Sequence, residues 1–164
     1  MKIRCLKMMA VLMIGSTVTS CQSSSHADIT PAQAVSYANA FTMGCSIDSA
    51  NIAAESKGFR RQKSEALDRM QVVSYGGPTR IKLIFGQDDT LAAVLVRIRQ
   101  GDDENNLKAA LRDLERMLGS PSKIWGPSSD FLAGVNFDTN VYAEWPHFLL
   151  SHWDDVIWLE RNWR

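Results

Sequence analysis

The spacing of hydrophobic residues changes between positions 81 and 118, and this change limits the folds open to the chain. Residues 81–85 and 91–99 alternate between two sets of side chains across a Gly-Gln-Asp-Asp turn sequence, which predicts a β-hairpin. Residues 103–118 instead place leucines three and four positions apart, as in an amphipathic helix, and Gly119 follows as a stop signal. A hairpin followed by such a helix is typical of an α+β domain, because the helix can cover one face of the sheet.

A helix-initiation signal stands at the start of this domain. Thr30 is a favourable N-cap residue, Pro31 suits the first turn, and Gln33 completes the pattern of a capping box. Apolar residues then recur at helical spacing, and Gly44 is predicted to end this helix. A weaker helical pattern is expected over residues 52–70.

The last forty residues are rich in aromatic and β-branched side chains. Residues 123–125, 141–145 and 156–159 are predicted strands, and residues 148–150 are expected to pair with the last of them. Residues 126–140 contain glycine, proline and polar residues, and are predicted to form a loop.

These patterns predict one small α+β domain over residues 30–164. N-terminal helices precede an antiparallel sheet, and one amphipathic helix at about 103–118 is expected to pack on that sheet. The chain has 164 residues, of which 45% are hydrophobic, so it can bury a core without a metal ion or several disulfides.

The charge balance excludes one class of function. Lysine and arginine total 18, as do aspartate and glutamate, which argues against a nucleic-acid partner bound by a basic surface. No phosphate-binding glycine loop or dinucleotide fingerprint is present in the sequence, so no cofactor is predicted. Arg60, Arg61 and Lys63 form a small basic cluster, interpreted either as solvated surface or as a contact for anionic lipid or a partner.

The first twenty residues have the pattern of a signal peptide. Lys2, Arg4 and Lys7 form a basic start, and the apolar stretch at 8–15 is too short to span a bilayer. Small and polar residues follow it, as a processing site requires.

The sequence Val18-Thr19-Ser20-Cys21 resembles the lipobox of bacterial lipoproteins. The resemblance implies lipidation of Cys21, cleavage before it and acylation of the new amine, with residues 21–29 as a lipidated polar tether. Two or three acyl chains such as palmitate anchor a protein durably in a membrane. Gln22 stands where an aspartate would signal inner-membrane retention, which implies the outer membrane. An ordinary secretory signal with a chance cysteine is the alternative.

Cys45 is the one cysteine left after processing and lipidation, so no internal disulfide is expected. With His147 or His152 as base, it could serve as the nucleophile of a cell-wall hydrolase. The flanking residues lack the Asp-Cys-Ser-Gly pattern of the papain-like cell-wall peptidases, which favours a buried, inert cysteine. A metal site at His147 and His152, with Asp154 and Asp155 close behind, would need a turn at His152 to bring the side chains together, and no metal site is predicted.

All five tryptophans lie in the last forty residues. Trp145, Trp153 and Trp163 are predicted members of an aromatic surface that binds a partner, because an indole ring offers a large contact area with few rotors. Trp158 lies in an apolar run, which favours the core for this side chain. The alternative is that several of the other rings also fill the core.

The sequence therefore predicts an outer-membrane lipoprotein that faces the periplasm and binds another protein there. An assembly or adaptor factor and an inhibitor or immunity protein fit equally well. The rival hypothesis is the Cys45-dependent hydrolase, which requires a reactive thiol of low pKa in a cleft.

Overall fold

In a computed structural model of the chain, the structure describes residues 27–67, 69–100, 104–124, 140–153 and 156–162. Their helices and strands are α1 (Pro31–Asn39), α2 (Ile47–Ser56), β1 (Arg60–Leu67), β2 (Met70–Gly76), β3 (Arg80–Phe85), β4 (Leu91–Gln100), α3 (Glu104–Leu118), β5 (Lys123–Ile124), β6 (Asn140–Trp145), β7 (Phe148–Trp153) and β8 (Val156–Asn162). The predicted signal peptide, Cys21 and almost all of the loop predicted at 126–140 lie outside the described residues.

The eight strands form one antiparallel sheet in the order β1-β2-β3-β4-β8-β7-β6-β5. Strands β1 to β4 follow one another in the sheet, as do β5 to β8, and β8 lies beside β4. The described part of the chain is a single small α+β domain that consists mostly of sheet, which confirms the predicted fold class.

The main core is one buried cluster that the helices and the sheet share. Residues from α1, α2 and α3 join the strands in this cluster, which includes Ala34, Ala54, Leu114, Leu83 and Leu159. α1 contacts β4, β8 and α3. This burial supplies the main stabilisation of the described domain, in which Cys45 is a free thiol.

The other face of the sheet has a smaller apolar cluster. Ala93, Leu95, Val156 and Trp158 are buried in it, and Trp158 is 2% exposed. The ammonium group of Lys82 lies 5.2 Å from the centroid of the Trp158 ring, in a cation–π contact. The predicted core position of Trp158 is confirmed, although its ring lies on the face opposite α1.

The helix predicted at Thr30 is present, and its end differs from the prediction. The Thr30 side chain accepts a hydrogen bond from the Gln33 amide, and the Gln33 side chain accepts one from the Thr30 amide, so the capping box is confirmed. α1 ends at Asn39 instead of near Gly44. Gly44 has a φ of 77° and belongs to the following turn, where its amide donates to the Leu91 carbonyl.

The prediction of helix over residues 52–70 was wrong after residue 56. α2 ends at Ser56, Gly58 follows with a φ of 80°, and residues 60–67 form β1. Strand β1 pairs with β2 along its whole length. Neighbouring-strand pairing therefore overrides a local helical pattern that had few apolar residues to bury.

The strongest sequence patterns gave the correct elements. The predicted hairpin is β3 and β4, the leucine-rich helix is α3, and Gly119 follows it with a φ of 82°. The three predicted C-terminal strands are present as β5, β6 and β8, and β7 pairs with β8 as expected. Among the described residues, no helix is both long enough and apolar enough to span a membrane.

Candidate protein-binding surface

Strand β1 forms one edge of the sheet, and nearly all of its side chains are exposed. Seven of its eight residues are exposed and Glu65 is half-buried. Within the described residues, β1 pairs with β2 on one side and with no strand on the other. Its outer backbone groups are therefore available to another strand.

The register of the β1–β2 hairpin indicates which backbone groups face outward. Leu67 pairs with Met70 across a two-residue turn, and the pair that closes such a turn exchanges hydrogen bonds. By alternation, Glu65 also bonds to β2, whereas the N–H and C=O groups of Ser64 and Ala66 point away from the sheet. The side chains of both outward-facing residues are exposed.

The charges along β1 are mixed. Arg60, Arg61 and Lys63 bear positive charges, and Glu65 bears a negative one. The Lys63 ammonium forms an ion pair with the Glu65 carboxylate, and its hydrogen bond lowers the pKa of Glu65. The basic cluster that the sequence indicates at 60–63 thus lies on a sheet edge, beside an acid that it partly neutralises.

Exposed apolar side chains adjoin this edge. Leu67 is 53% exposed and Met70 is 48% exposed, one on each side of the hairpin turn. Met70 also lines an open depression of about 330 Å³ together with Gly86 and Gln87 of the β3–β4 turn. Ile52 of α2, the helix that contacts β1, is 69% exposed. Apolar groups clustered at an open strand edge are typical of a protein-binding surface.

The structure assigns Trp145 to the core. The residue is 3% exposed, and its Nε1–H donates to the Gly119 carbonyl oxygen at 2.8 Å, which ties β6 to the end of α3. A ring in this position has little surface to offer a partner. The backbone of Trp153 ends β7, but its side chain is not among those described, and Trp163 lies outside the described residues.

Cys45 lies between α1 and α2, beside the start of β4. Its carbonyl accepts a hydrogen bond from the Leu91 amide, and its side chain is half-buried. Desolvation by this burial raises the pKa of the Cys45 thiol. A raised pKa lowers the fraction of thiolate at neutral pH, which is the opposite of what a nucleophilic cysteine needs.

The two histidines of the hydrolase hypothesis lie in different places. His152 pairs with Ile157, which in turn pairs with Arg99, whereas Cys45 adjoins Leu91. Positions 91 and 99 are eight residues apart in one strand, a separation of roughly 26 Å. His152 therefore cannot act as a base for Cys45 in this conformation. His147 is exposed in the β6–β7 turn.

No group of three or more metal-ligating side chains occurs within the described ranges. The His152 ring instead lies edge-on to Tyr142, with 6.5 Å between the ring centroids. Aspartates 154 and 155, which the sequence places near His152, lie outside the described residues.

The point where the chain enters the domain is fixed by contacts that sequence patterns do not reveal. The Ile29 amide donates to the Ile98 carbonyl at 2.9 Å. The Asp28 carboxylate lies 3.2 Å from Arg97 and 3.4 Å from Arg99, and this entry segment borders a cleft of about 230 Å³ against α3. Any tether before residue 28 therefore begins at this end of β4.

In comparisons with known proteins, the chain matches no family model, no curated protein and no solved structure.

Proposed function

We propose that this protein is an outer-membrane lipoprotein, anchored through Cys21, whose α+β domain binds another protein in the periplasm. The Val18-Thr19-Ser20-Cys21 sequence supports the lipid anchor, and Gln22 supports the outer membrane. Residues 21–27 can extend by roughly 20 Å, so the domain is held close to the membrane surface.

The open edge of β1 is the observation that carries the binding role. A strand with outward N–H and C=O groups can accept another strand, and the main-chain hydrogen bonds then give affinity. Leu67 and Met70 offer apolar contacts at the end of the same edge. We propose that β1 with these two side chains is the binding surface in place of the buried Trp145, whereas Trp153 and Trp163 stay predicted members of an aromatic surface.

Helices α1 and α3 lie away from this edge, whereas α2 contacts β1. We propose that α3, with α1, covers the sheet on one face, as the sequence predicts for residues 103–118. Leu107 and Leu114 support this arrangement because they belong to the main buried cluster. α3 contacts α1, and α1 contacts β4 and β8, so this cover lies away from β1.

An adaptor for an envelope complex and an inhibitor or immunity protein both use such a surface, and we retain both roles within the proposal. The hydrolase alternative loses support from the raised pKa of the Cys45 thiol and from the position of His152. With His147 as base it stays the weaker alternative, because the His147 carbonyl accepts a hydrogen bond from Asn162, which pairs with Ala93 near the Cys45 end of β4.

The lipid anchor is tested by replacing the residue that would carry it. Cys21→Ser should abolish incorporation of labelled palmitate and release the protein from the membrane fraction. Cys45→Ser is the matched control, since it removes a thiol from the domain and should leave both properties unchanged. An unlabelled wild-type chain would contradict lipidation.

The binding surface is tested by a proline on the outer edge. Ala66→Pro removes an N–H group that β2 does not use, and proline is tolerated at such edge positions. Capture from native envelopes should recover a stoichiometric partner, either a different protein or an untagged second copy of this chain, with wild type and with the control Ala66→Ser, and lose it with Ala66→Pro. Full retention of the partner by a folded Ala66→Pro protein would contradict the proposed surface.

A further inference from the structure

We infer that the strand accepted by β1 is β1 of a second copy of this chain, paired antiparallel about a two-fold axis at Ser64. The inference rests on the proposed binding role of this edge and names its occupant.

The backbone directions allow self-pairing at Ser64. Its N–H and C=O groups face outward, so Ser64 can form a hydrogen-bonded pair with Ser64 of the second copy. In an antiparallel pair, the N–H and C=O groups of two opposed residues point either both toward each other or both away. The two-fold axis must therefore pass through a residue and not between two residues. Lys63 and Glu65 then occupy non-hydrogen-bonded positions, where opposed side chains are closest.

The charge order selects Ser64 among these positions. An axis at Lys63 or at Glu65 would place each of these residues opposite itself, and like charges directly opposed are destabilising. An axis at Gln62 would fall within the β-bulge and place Lys63 opposite Arg61. An axis at Ala66 would pair only residues 65–67 of β1, because the strand ends at Leu67. The axis at Ser64 places Lys63 of each copy opposite Glu65 of the other, and so forms two ion pairs.

The residues of β1 next to the proposed axis have regular strand geometry. The β-bulge of β1 falls between Arg61 and Lys63, and the register with β2 is unbroken from Lys63 to Leu67. The pairs nearest the axis therefore involve regular strand only. A two-fold axis normal to the membrane also places the two chain entry points at equal height, so both anchors reach one leaflet.

Charge reversal tests the inference in the full lipidated chain, by sedimentation in density-matched detergent. Wild type should form a dimer, and Lys63→Glu or Glu65→Lys should weaken it roughly tenfold or more, because each change opposes like charges twice. The double variant K63E/E65K should restore the dimer. Lys108→Glu on α3 alters the net charge by the same amount as K63E and should leave the dimer unchanged.

Mixing the two single variants gives a sharper result. K63E has two acidic residues at these positions and E65K has two basic ones, so the heterodimer of the two should be tighter than the homodimer of either. A wild-type dimer that is insensitive to both reversals would overturn the Ser64 register.

A monomeric wild type would overturn self-association. If that monomer still captured another protein that Ala66→Pro loses, the proposed binding surface would stand with a different occupant. If Ala66→Pro had no effect on capture either, both proposals would fall.

Discussion

The buried guanidinium of Arg97 lies 3.2 Å from the half-exposed carboxylate of Asp28, a residue 69 positions earlier in the chain. Arg97 is 3% exposed in the middle of the sheet, where a charged side chain requires a partner. The pair joins the segment that precedes α1 to strand β4. It thus fixes the point from which the proposed tether begins.

Asp28→Asn should lower the free energy of unfolding by roughly 1–3 kcal/mol, because it removes a negative charge that lies against a buried arginine. Denaturant unfolding measures this directly. Asp113→Asn, which removes an exposed ion pair with Arg116 on α3, is the control and should cost less than about 0.5 kcal/mol. Equal effects of the two changes would show that the Asp28 contact is as weak as a surface pair.

Trp145 should contribute to stability. Trp145→Phe leaves the Gly119 carbonyl without its donor and leaves a space in the core, so we expect a loss of roughly 1–3 kcal/mol in unfolding free energy. Ile124→Ala, at an exposed position of the adjacent edge strand, should change it by about 0.5 kcal/mol or less. A folded Trp145→Phe protein of unchanged stability that lost its partner would instead favour the aromatic surface suggested by the sequence.

Tyr75 should make the protein less stable in alkaline solution. Its hydroxyl donates to Asn51, and burial raises the pKa of Tyr75 above its ordinary value. The folded state therefore holds this proton more tightly, and the resulting stability is present below about pH 10 and is lost as the pH rises through the folded pKa. Tyr75→Phe should remove this decline, as measured by urea unfolding from about pH 8 to 11. Parallel stability curves for the two proteins would contradict this role.

Cys45 should react slowly with alkylating agents in the folded protein. Because burial raises the pKa of the thiol, iodoacetamide should modify it more slowly at neutral pH than it modifies the same thiol in urea. Mass spectrometry of timed samples measures both rates. Faster alkylation of the folded protein would revive the hydrolase hypothesis.

Sequence patterns predicted the elements whose side chains alternate or repeat strongly. Thr30 and Gln33 mark α1 because capping is a local interaction, and β3 and α3 bury one regular face each. β4 alternates between two faces that are both buried. β1 could not be predicted in this way, since an exposed edge strand has no apolar face to reveal its period. Its strand conformation is stabilised by pairing with β2, a non-local interaction that the residues of β1 alone do not predict.

The candidate site was missed for the same reason. Arg60, Arg61 and Lys63 were visible as a basic cluster, but their place on a sheet edge depends on pairing that the cluster does not encode. The contacts of Arg161 with the carbonyls of Ala38 and Phe41 show the same limit. Each joins residues more than a hundred positions apart, and no local spacing predicts such a contact.

Amide hydrogen exchange along β1 tests most directly whether this edge binds a strand. In the membrane-anchored protein, we expect slow exchange at Ser64 and Ala66, and fast exchange at Ser64 when Ala66→Pro blocks pairing. The Glu65 amide should remain protected in both proteins, because it bonds to β2, and so reports an intact hairpin. Equally fast exchange of the Ser64 amide in the two proteins, with Glu65 protected, would contradict the account.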